Sequence, residues 1–451
     1  MIKIDFNGLS GDVVTKDDFR YEEERKCWNR AIEKYPLVIV FCHNKSDVIN
    51  AIAWSRLNSL SIRIRSGRHH YEGYSIGNDV VVIDISRMNN IAINEDKKIV
   101  RIQGGTRNRE LYEVLNGMGY PFSGGGCPTV GVVGFTLGGG WGYSSRLFGL
   151  GCDNLVEVEL IDYKGDTIIA NENFNEDLFW ACRGSGGGNF GVVTSMTFAI
   201  PEKREIATLI NMDCPHLDIE EIIKLVLTYQ NEFKTLDRRA NFKLSIYNSN
   251  ERGLGAKLTG LVYGSKDEAN NIIVPLKSVV TKMKLDMECM SVLEANREIQ
   301  DSHPDYESYK SGGRFVYNDL DQSDIKKLIG LIRERAEGSI YTAITLYGLG
   351  GAISDKQKDS TSFYYRDAKF IMGFQSVWDD SRFATKNIMW TKDKFNHIKL
   401  MTEGSFINFP IDGYEDYEKE YCGENILKLR KVKGKYDPEN IFNFSQSIKS
   451  E

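Results

Sequence analysis

A histidine and a cysteine stand at the edges of glycine-rich segments, and both residue types can carry covalent or acid–base chemistry. His69 ends the run Arg65-Ser66-Gly67-Arg68-His69, on a loop where an exposed imidazole and backbone amides could meet an anion. Cys127 follows Gly124-Gly125-Gly126 and precedes Pro128, which puts its thiol in irregular backbone rather than in a packed element. A lone histidine or cysteine is most often structural or inert, so neither identifies a site by itself. The glycines add a second signal. The chain has 42 of them against 9 prolines, and 21 of the 42 fall between Gly104 and Gly191. Runs such as Gly124–Gly126, Gly138–Gly140 and Gly186–Gly188 would cost about 0.5–1 kcal/mol per residue inside a helix or strand. Their natural uses are positive-φ turns and loops whose amides come close to a phosphate or a planar ring. The spacing fits neither the Walker loop nor the Rossmann fingerprint. One such run could be a tight turn only; three in one stretch point to a large bound cofactor.

The elements that must position these loops read as follows. Residues 20–35 look like an amphipathic helix, 37–42 a buried strand, and 46–58 a helix capped by Ser46. Strands are expected at Ser61–Arg65, Val80–Ile85 and 99–103, followed by a short helix over 110–119. A hairpin over 155–170 turns at Lys164–Gly165. After Pro201 glycine thins and charge rises. A helix is expected over Asp218–Leu236 and a hairpin of strands at Asn241–Tyr247 and Ala256–Tyr263. A helix over 265–280 should be interrupted by Pro275. Strands recur at Ile340–Tyr347 and Lys369–Val377, and Ser381–Met401 reads as helix. The pattern predicts α+β domains: one over 1–202, a second with an antiparallel sheet over 203–405, and a C-terminal segment, 406–451.

Bulk properties narrow the function. With 451 residues, 41% hydrophobic and 27% charged, the chain can build more than one core. A net charge of −6 and a pI near 5.7 argue against nucleic acid as a partner. The short basic run Lys428–Lys435 reads as a solvated helix face. No apolar run is long enough to span a membrane, and the N-terminus has no apolar signal region, so a cytoplasmic protein is expected. The 8 cysteines are scattered without a paired motif and the 6 histidines form no metal-ligand pattern, so reduced thiols and no metal centre are expected.

Several long motifs in order then resemble a known family. These are RSG-x-H (65–69), YEG (71–73), VVVIDISRM (80–88), CPTVGV-x-G (127–134), LGGGWGYSSRLFGLGCDNL (137–155), LFWACRGSGGGNFGVVT (178–194) and YDPENIFNFSQSI (436–448). Together they resemble the berberine bridge enzyme-like oxidoreductases, within the FAD-binding superfamily of p-cresol methylhydroxylase and vanillyl-alcohol oxidase. The resemblance runs from about residue 20 to 448 and is weakest in the middle third.

It implies a two-part FAD-binding domain of the p-cresol methylhydroxylase type, to which 406–451 returns, and an α+β substrate domain. It also implies FAD held bicovalently, through His69 to the flavin 8α-methyl and through Cys127 to flavin carbon 6. Arg65, Ser66, Gly67, Arg68 and His69 match the pyrophosphate loop, with charge from Arg65 or Arg68. The segments Cys127–Gly142 and Gly186–Val193 match those that line the isoalloxazine. Thr129, Val130, Val132, Gly134, Gly138, Gly139, Gly188, Asn189 and Val193 are therefore expected around the cofactor. Val130 stands where valine accompanies oxygen reactivity.

The activity implied is an oxidase that takes hydride from a small alcohol, sugar or secondary-metabolite substrate and returns electrons to O2 as H2O2. A dehydrogenase with another acceptor and a flavin-bearing structural or coat protein are the alternatives. Tyr347 is the first candidate base, followed by Tyr71 and Tyr143, each of which could instead be a packed aromatic. Four departures stand out. Arg68 replaces a glycine, His70 offers a rival attachment point, Phe135 replaces a histidine, and Phe409 stands where a tyrosine base is common.

Overall fold

The computed structural model describes residues 5–451; the first four residues of the N-terminal stretch read above lie outside it. Three sheets organise the chain. The first contains β1 (Asp12–Thr15), β2 (Val38–Phe41), β3 (Ile62–Arg65) and β4 (Val81–Asp84), in the order β1-β2-β4-β3. The β2–β4 and β3–β4 pairs are parallel. Every residue of Val-Ile-Val-Phe and Val-Val-Ile-Asp is buried, the near-continuous apolar texture of parallel strands covered on both faces.

The second sheet is antiparallel. It holds β5 (Ile91–Asn94), β6 (Ile99–Gln103), β7 (Leu155–Ile161), β8 (Thr167–Asn171) and β9 (Val192–Ala199), in the order β5-β6-β9-β7-β8. The third has eight antiparallel strands: β10 (Ile206–Pro215), β11 (Ala240–Ser249), β12 (Gly253–Val262), β13 (Lys284–Ser291), β14 (Tyr309–Val316), β15 (Ser339–Gly348), β16 (Phe370–Trp378) and β17 (Glu403–Ser405). Their order is β13-β10-β12-β11-β15-β16-β14-β17.

Alternation along the third sheet separates core from site. Leu244, Ile246, Leu258, Ile344, Leu346, Met372 and Phe374 point to one face. There they pack against Ile222, Val226 and Tyr229 of the helix Ile219–Phe233, Ile325 and Ile329 of Gln322–Arg333, and Phe395 of Ala384–Lys399. Lys243, Ser245, Lys257, Thr259, Thr345, Tyr347 and Gln375 fall on the opposite face by the two-residue period of a strand. After β17 the chain returns to the second sheet. Tyr421, Leu429, Val432, Tyr436 and Ile448 are buried in one core with Val100, Leu111 and Phe198.

Several expectations are corrected. Residues 20–35 are helical only over Tyr21–Glu24. Beyond that, tertiary docking overrides the periodicity: Trp28 stacks on His69, and the Asn29 amide donates to the Tyr71 and Tyr309 carbonyls. The second helix, Lys45–Leu57, is capped by Asn44, whose side chain accepts the Asp47 N–H at 3.1 Å, and not by Ser46. Pro275 does not interrupt its helix, which runs over Lys266–Lys277; so near the C-terminal end the ring disturbs little. Strands β1, β5, β9, β10, β13, β14 and β17 carry no expectation from the sequence.

The basic run is not a wholly solvated face, since Lys433 is completely buried. Its ammonium donates to Asp437 Oδ2 and to the Asn189 and Phe442 carbonyls at 2.6–2.7 Å. Among the described residues no helix is long and apolar enough to cross a membrane.

Candidate active site

The three sheets and the returning segment enclose one cavity of about 560 Å³, within the range of cofactor sites. One part of its wall comes from the loop after β3, the glycine segments and Phe442–Phe444. The other comes from the polar face of the third sheet.

The loops bearing His69 and Cys127 are pressed together, and their glycines allow it. A Cβ on Gly67 would come within 2.2 Å of the Gly131 nitrogen, and one on Gly131 within 2.5 Å of Ser66 Oγ. The start of the helix Asn108–Gly117 then fixes the cysteine loop. The backbone N–H groups of Asn108 and Arg109 donate to the Val130 and Pro128 carbonyls, and the Asn108 side chain donates to that of Cys127. As a result both reactive groups meet one hydroxyl. Thr129 Oγ1 lies 2.7 Å from His69 Nε2 and 3.9 Å from Cys127 Sγ.

The imidazole of His69 stacks on Trp28 with centroids 5.0 Å apart. Burial pushes its pKa down to about 3, helped by Arg107 and His303, so it is a neutral ring with a nitrogen lone pair. Burial raises the Cys127 thiol above its ordinary value.

The other expected cofactor residues divide between the wall and the layer behind it. Ser66, Gly67, Arg68, His70, Val130, Gly134, Gly188, Asn189 and Val193 line the cavity. Arg65 does not. Its guanidinium is fully buried behind the loop, donating to Asp84 Oδ2 at 2.6 Å and to the Glu24 carbonyl. Arg68 is likewise committed to Glu24, at 2.5 Å. At φ 66° it holds the left-handed backbone that favours glycine.

Thr129 is one shell back, between the two reactive groups. Val132 faces the core because the short helix Val132–Leu137 turns Val133, Gly134, Phe135 and Leu137 to the cavity. Gly138 and Gly139 also lie behind, where a Cβ would strike Asn408 at 1.9 Å and Phe363 at 2.8 Å. His70 tilts against Tyr74, and burial, with Lys34, holds it at about 3.

All three tyrosines line the cavity. Burial raises Tyr71 and Tyr143 well above 10 and Tyr347 to about 12, so none is a phenolate at neutral pH. Phe409 lies parallel to Tyr71 at 5.4 Å and against Tyr347 at 5.3 Å, forming an apolar stack. Phe135 is ringed by glycines: a Cβ on Gly125, Gly140 or Gly151 would approach it within 2.5–3.1 Å.

FAD fits this wall. Trp28, Ser75 and Tyr143 are among the lining residues, and their Nε1, Oγ and Oη are buried with no hydrogen-bond partner among the described residues. A Cβ on Gly134 would meet nothing within 4 Å. Gly186 and Gly188, at φ 90° and 81°, turn their loop in the left-handed region.

Sequence reasoning missed Trp28, Lys243, Lys257, His303, Glu307 and Gln375, all on the wall. They come from the poorly matched middle third or from the presumed first helix. Glu307 is the only carboxylate among the lining residues. Burial, with Asp379 nearby, raises it to about 7.

Comparisons with known proteins bear on the family and the fold. An FAD binding domain family model matches residues 36–171, and a berberine and berberine-like model matches 405–449. The chain is 34% identical to the FAD-linked oxidoreductase YgaK of Bacillus subtilis (strain 168), over 98% of this chain and 97% of that one. It is 27% identical to reticuline oxidase of Eschscholzia californica, over 98% of this chain and 90% of the relative. A solved berberine bridge enzyme-like protein of Physcomitrella patens superposes with TM-score 0.88 at 24% identity, covering 98% and 97%. A chitooligosaccharide oxidase gives TM-score 0.88 at 20% identity over the same shares, a likeness of fold.

Proposed function

The chain belongs to the berberine bridge enzyme-like FAD-linked oxidoreductases, and from that membership we propose that it is an oxidase of a small molecule, with FAD joined to both His69 and Cys127. The observation that carries the reading is the meeting of His69 and Cys127 at the Thr129 hydroxyl, in the wall of the cavity of about 560 Å³. Two attachment points on one flavin ring require two side chains that close together. The chemistry FAD supplies when bound is acceptance of a hydride from a substrate carbon, with electrons passed to O2 and H2O2 released.

The protein's own groups do the rest. His69, neutral and held by Trp28 and Thr129, offers a nucleophilic nitrogen, while Cys127 offers sulfur from a loop fixed by the helix behind it. Trp141, Tyr71 and Phe409 exclude water from the substrate side. Glu307 is the proton acceptor that suits neutral pH, because an efficient base has a pKa near the working pH. Tyr347 orients the substrate hydroxyl as a neutral donor. Val130, on the wall, is the residue type that accompanies oxygen reactivity at this position, which supports the oxidase reading.

Acid-precipitated protein should remain yellow, and His69→Ala together with Cys127→Ala should release the colour to the supernatant. Colourless wild-type pellets would exclude covalent attachment. Photoreduced protein mixed with air should reoxidise within seconds; a slow return would assign a dehydrogenase instead.

A further inference from the structure

The cavity wall formed by the third sheet carries two lysines with no acidic partner. Lys243 on β11 and Lys257 on β12 both line it. Lys243 pairs with Thr259 and Lys257 with Ser245, so the two are diagonal neighbours on one face, with Cβ atoms roughly 7–8 Å apart. Like charges so placed repel, and the partial burial of Lys243 adds to the cost, whereas Lys257 is exposed. A compensating anion removes both penalties.

The protein does not supply that anion. Among the described residues neither lysine forms an ion pair. Asp213, opposite Lys257 on β10, is taken by Arg252 and accepts the Tyr247 hydroxyl at 3.0 Å. Glu307, on the loop before β14, lines the same cavity and among the described residues is also without an ion-pair partner. The remaining titratable neighbours bring no negative charge. His303, which donates from Nδ1 to the Ile299 carbonyl, is lowered to about 4, and Tyr341 and Tyr347 are protonated. Burial, with Lys257, lowers Lys243 to about 8, so its charge is sensitive to what sits beside it. Hydroxyl donors complete the wall: Thr259 lies beside the lysines, and Ser245 and Thr345 share a hydrogen bond of 2.8 Å.

We propose that the substrate is a carboxylate-bearing small molecule whose carboxylate is bound between Lys243 and Lys257, with its oxidisable carbon directed toward Tyr347. Lys243 lies opposite Tyr347 across β11 and β15, which sets the anion one strand from the tyrosine. The inference rests on the oxidoreductase reading of the same cavity and narrows it from small molecules in general to acids.

The test uses the flavin-loaded protein and two probes of one shape, benzoate and the uncharged benzamide, measured by titration calorimetry near pH 7. Benzoate should bind at least about tenfold tighter than benzamide. That preference should be lost in Lys243→Met and Lys257→Met, kept in Lys243→Arg, and should weaken as the pH passes about 8 in the wild type. Equal binding of the two probes, no binding of benzoate, or an unchanged preference in the Met variants would overturn the proposal. Anaerobic bleaching of the flavin by alcohols tests the redox reading separately. Bleaching without a benzoate preference keeps the oxidoreductase and loses the acid, and lysine-dependent benzoate binding without any bleaching does the reverse.

Discussion

Glu307 sits in the segment between the helix Val292–Asp301 and β14, where its backbone is bonded to Trp28 and Arg30. Those bonds tie the carboxylate to the loop that also brings Trp28 onto His69. Removing its charge tests whether it takes the proton. Glu307→Gln keeps the shape and should lower kcat/KM by about 10²–10⁴-fold, the usual worth of a positioned base. The wild-type profile should rise through about pH 7, and the variant should lose that limb. A full-rate variant with the same limb would return the role to Tyr347. Glu307 was not legible in the sequence because no motif surrounds it; its place on the cavity wall distinguishes it from the chain's other carboxylates. His69 and Cys127 were legible because glycines flank them. Arg65 misled because its type suits a phosphate, whereas its partner Asp84 lies 19 positions away and only strand pairing brings them together.

At the level of elements, the helix Ile426–Tyr436 shows how local pattern and tertiary role diverge. Its lysines read as a solvent face, and most are, but Lys433 turns inward to the Asn189 carbonyl on the glycine loop. It thereby links the returning segment to the cavity wall. Lys433→Met should destabilise the protein by about 3–5 kcal/mol, because it leaves the Asp437 carboxylate buried without its cation. Chemical denaturation would measure that loss, and Lys433→Arg should recover little of it in so closed a site. Strands β7 and β8 and the β11–β12 hairpin were legible from alternation and turn residues. The helix expected over 20–35 was not, since docking of Trp28 and Asn29 decides that segment, and sequence periodicity does not record a partner.

The whole molecule uses its glycines for two purposes, of which the sequence suggested one. Some open onto the cavity, as Gly134 and Gly187 do, but Gly124, Gly138, Gly139 and Gly184 let Tyr112, Asn408 and Phe363 approach the backbone. The cavity is therefore a product of inter-element packing as much as of loops made for a ligand, and its wall gathers three of the 6 histidines. That concentration gives the fold a distinct pH response. Burial holds His69 and His70 near 3 and His303 near 4, below the ordinary 6.5. Between those values and 6.5 the unfolded chain binds more protons than the folded one. Their contribution to stability is therefore complete above about pH 6.5 and is lost as the pH falls toward 3–4. Glu307, raised to about 7, has the opposite sign: its contribution is present below about 4.5 and lost as the pH rises through 7. Glu72, raised by burial, opposes the histidines in the same way. Three histidines outweigh two carboxylates, so for the flavin-free protein the melting temperature should fall from pH 7 to 5. In His70→Gln the fall should be shallower by more than a third, because one of three histidines is lost while the opposing carboxylates remain. A flat melting profile over that interval would mean that the histidines take protons without unfolding, and that the wall admits water freely.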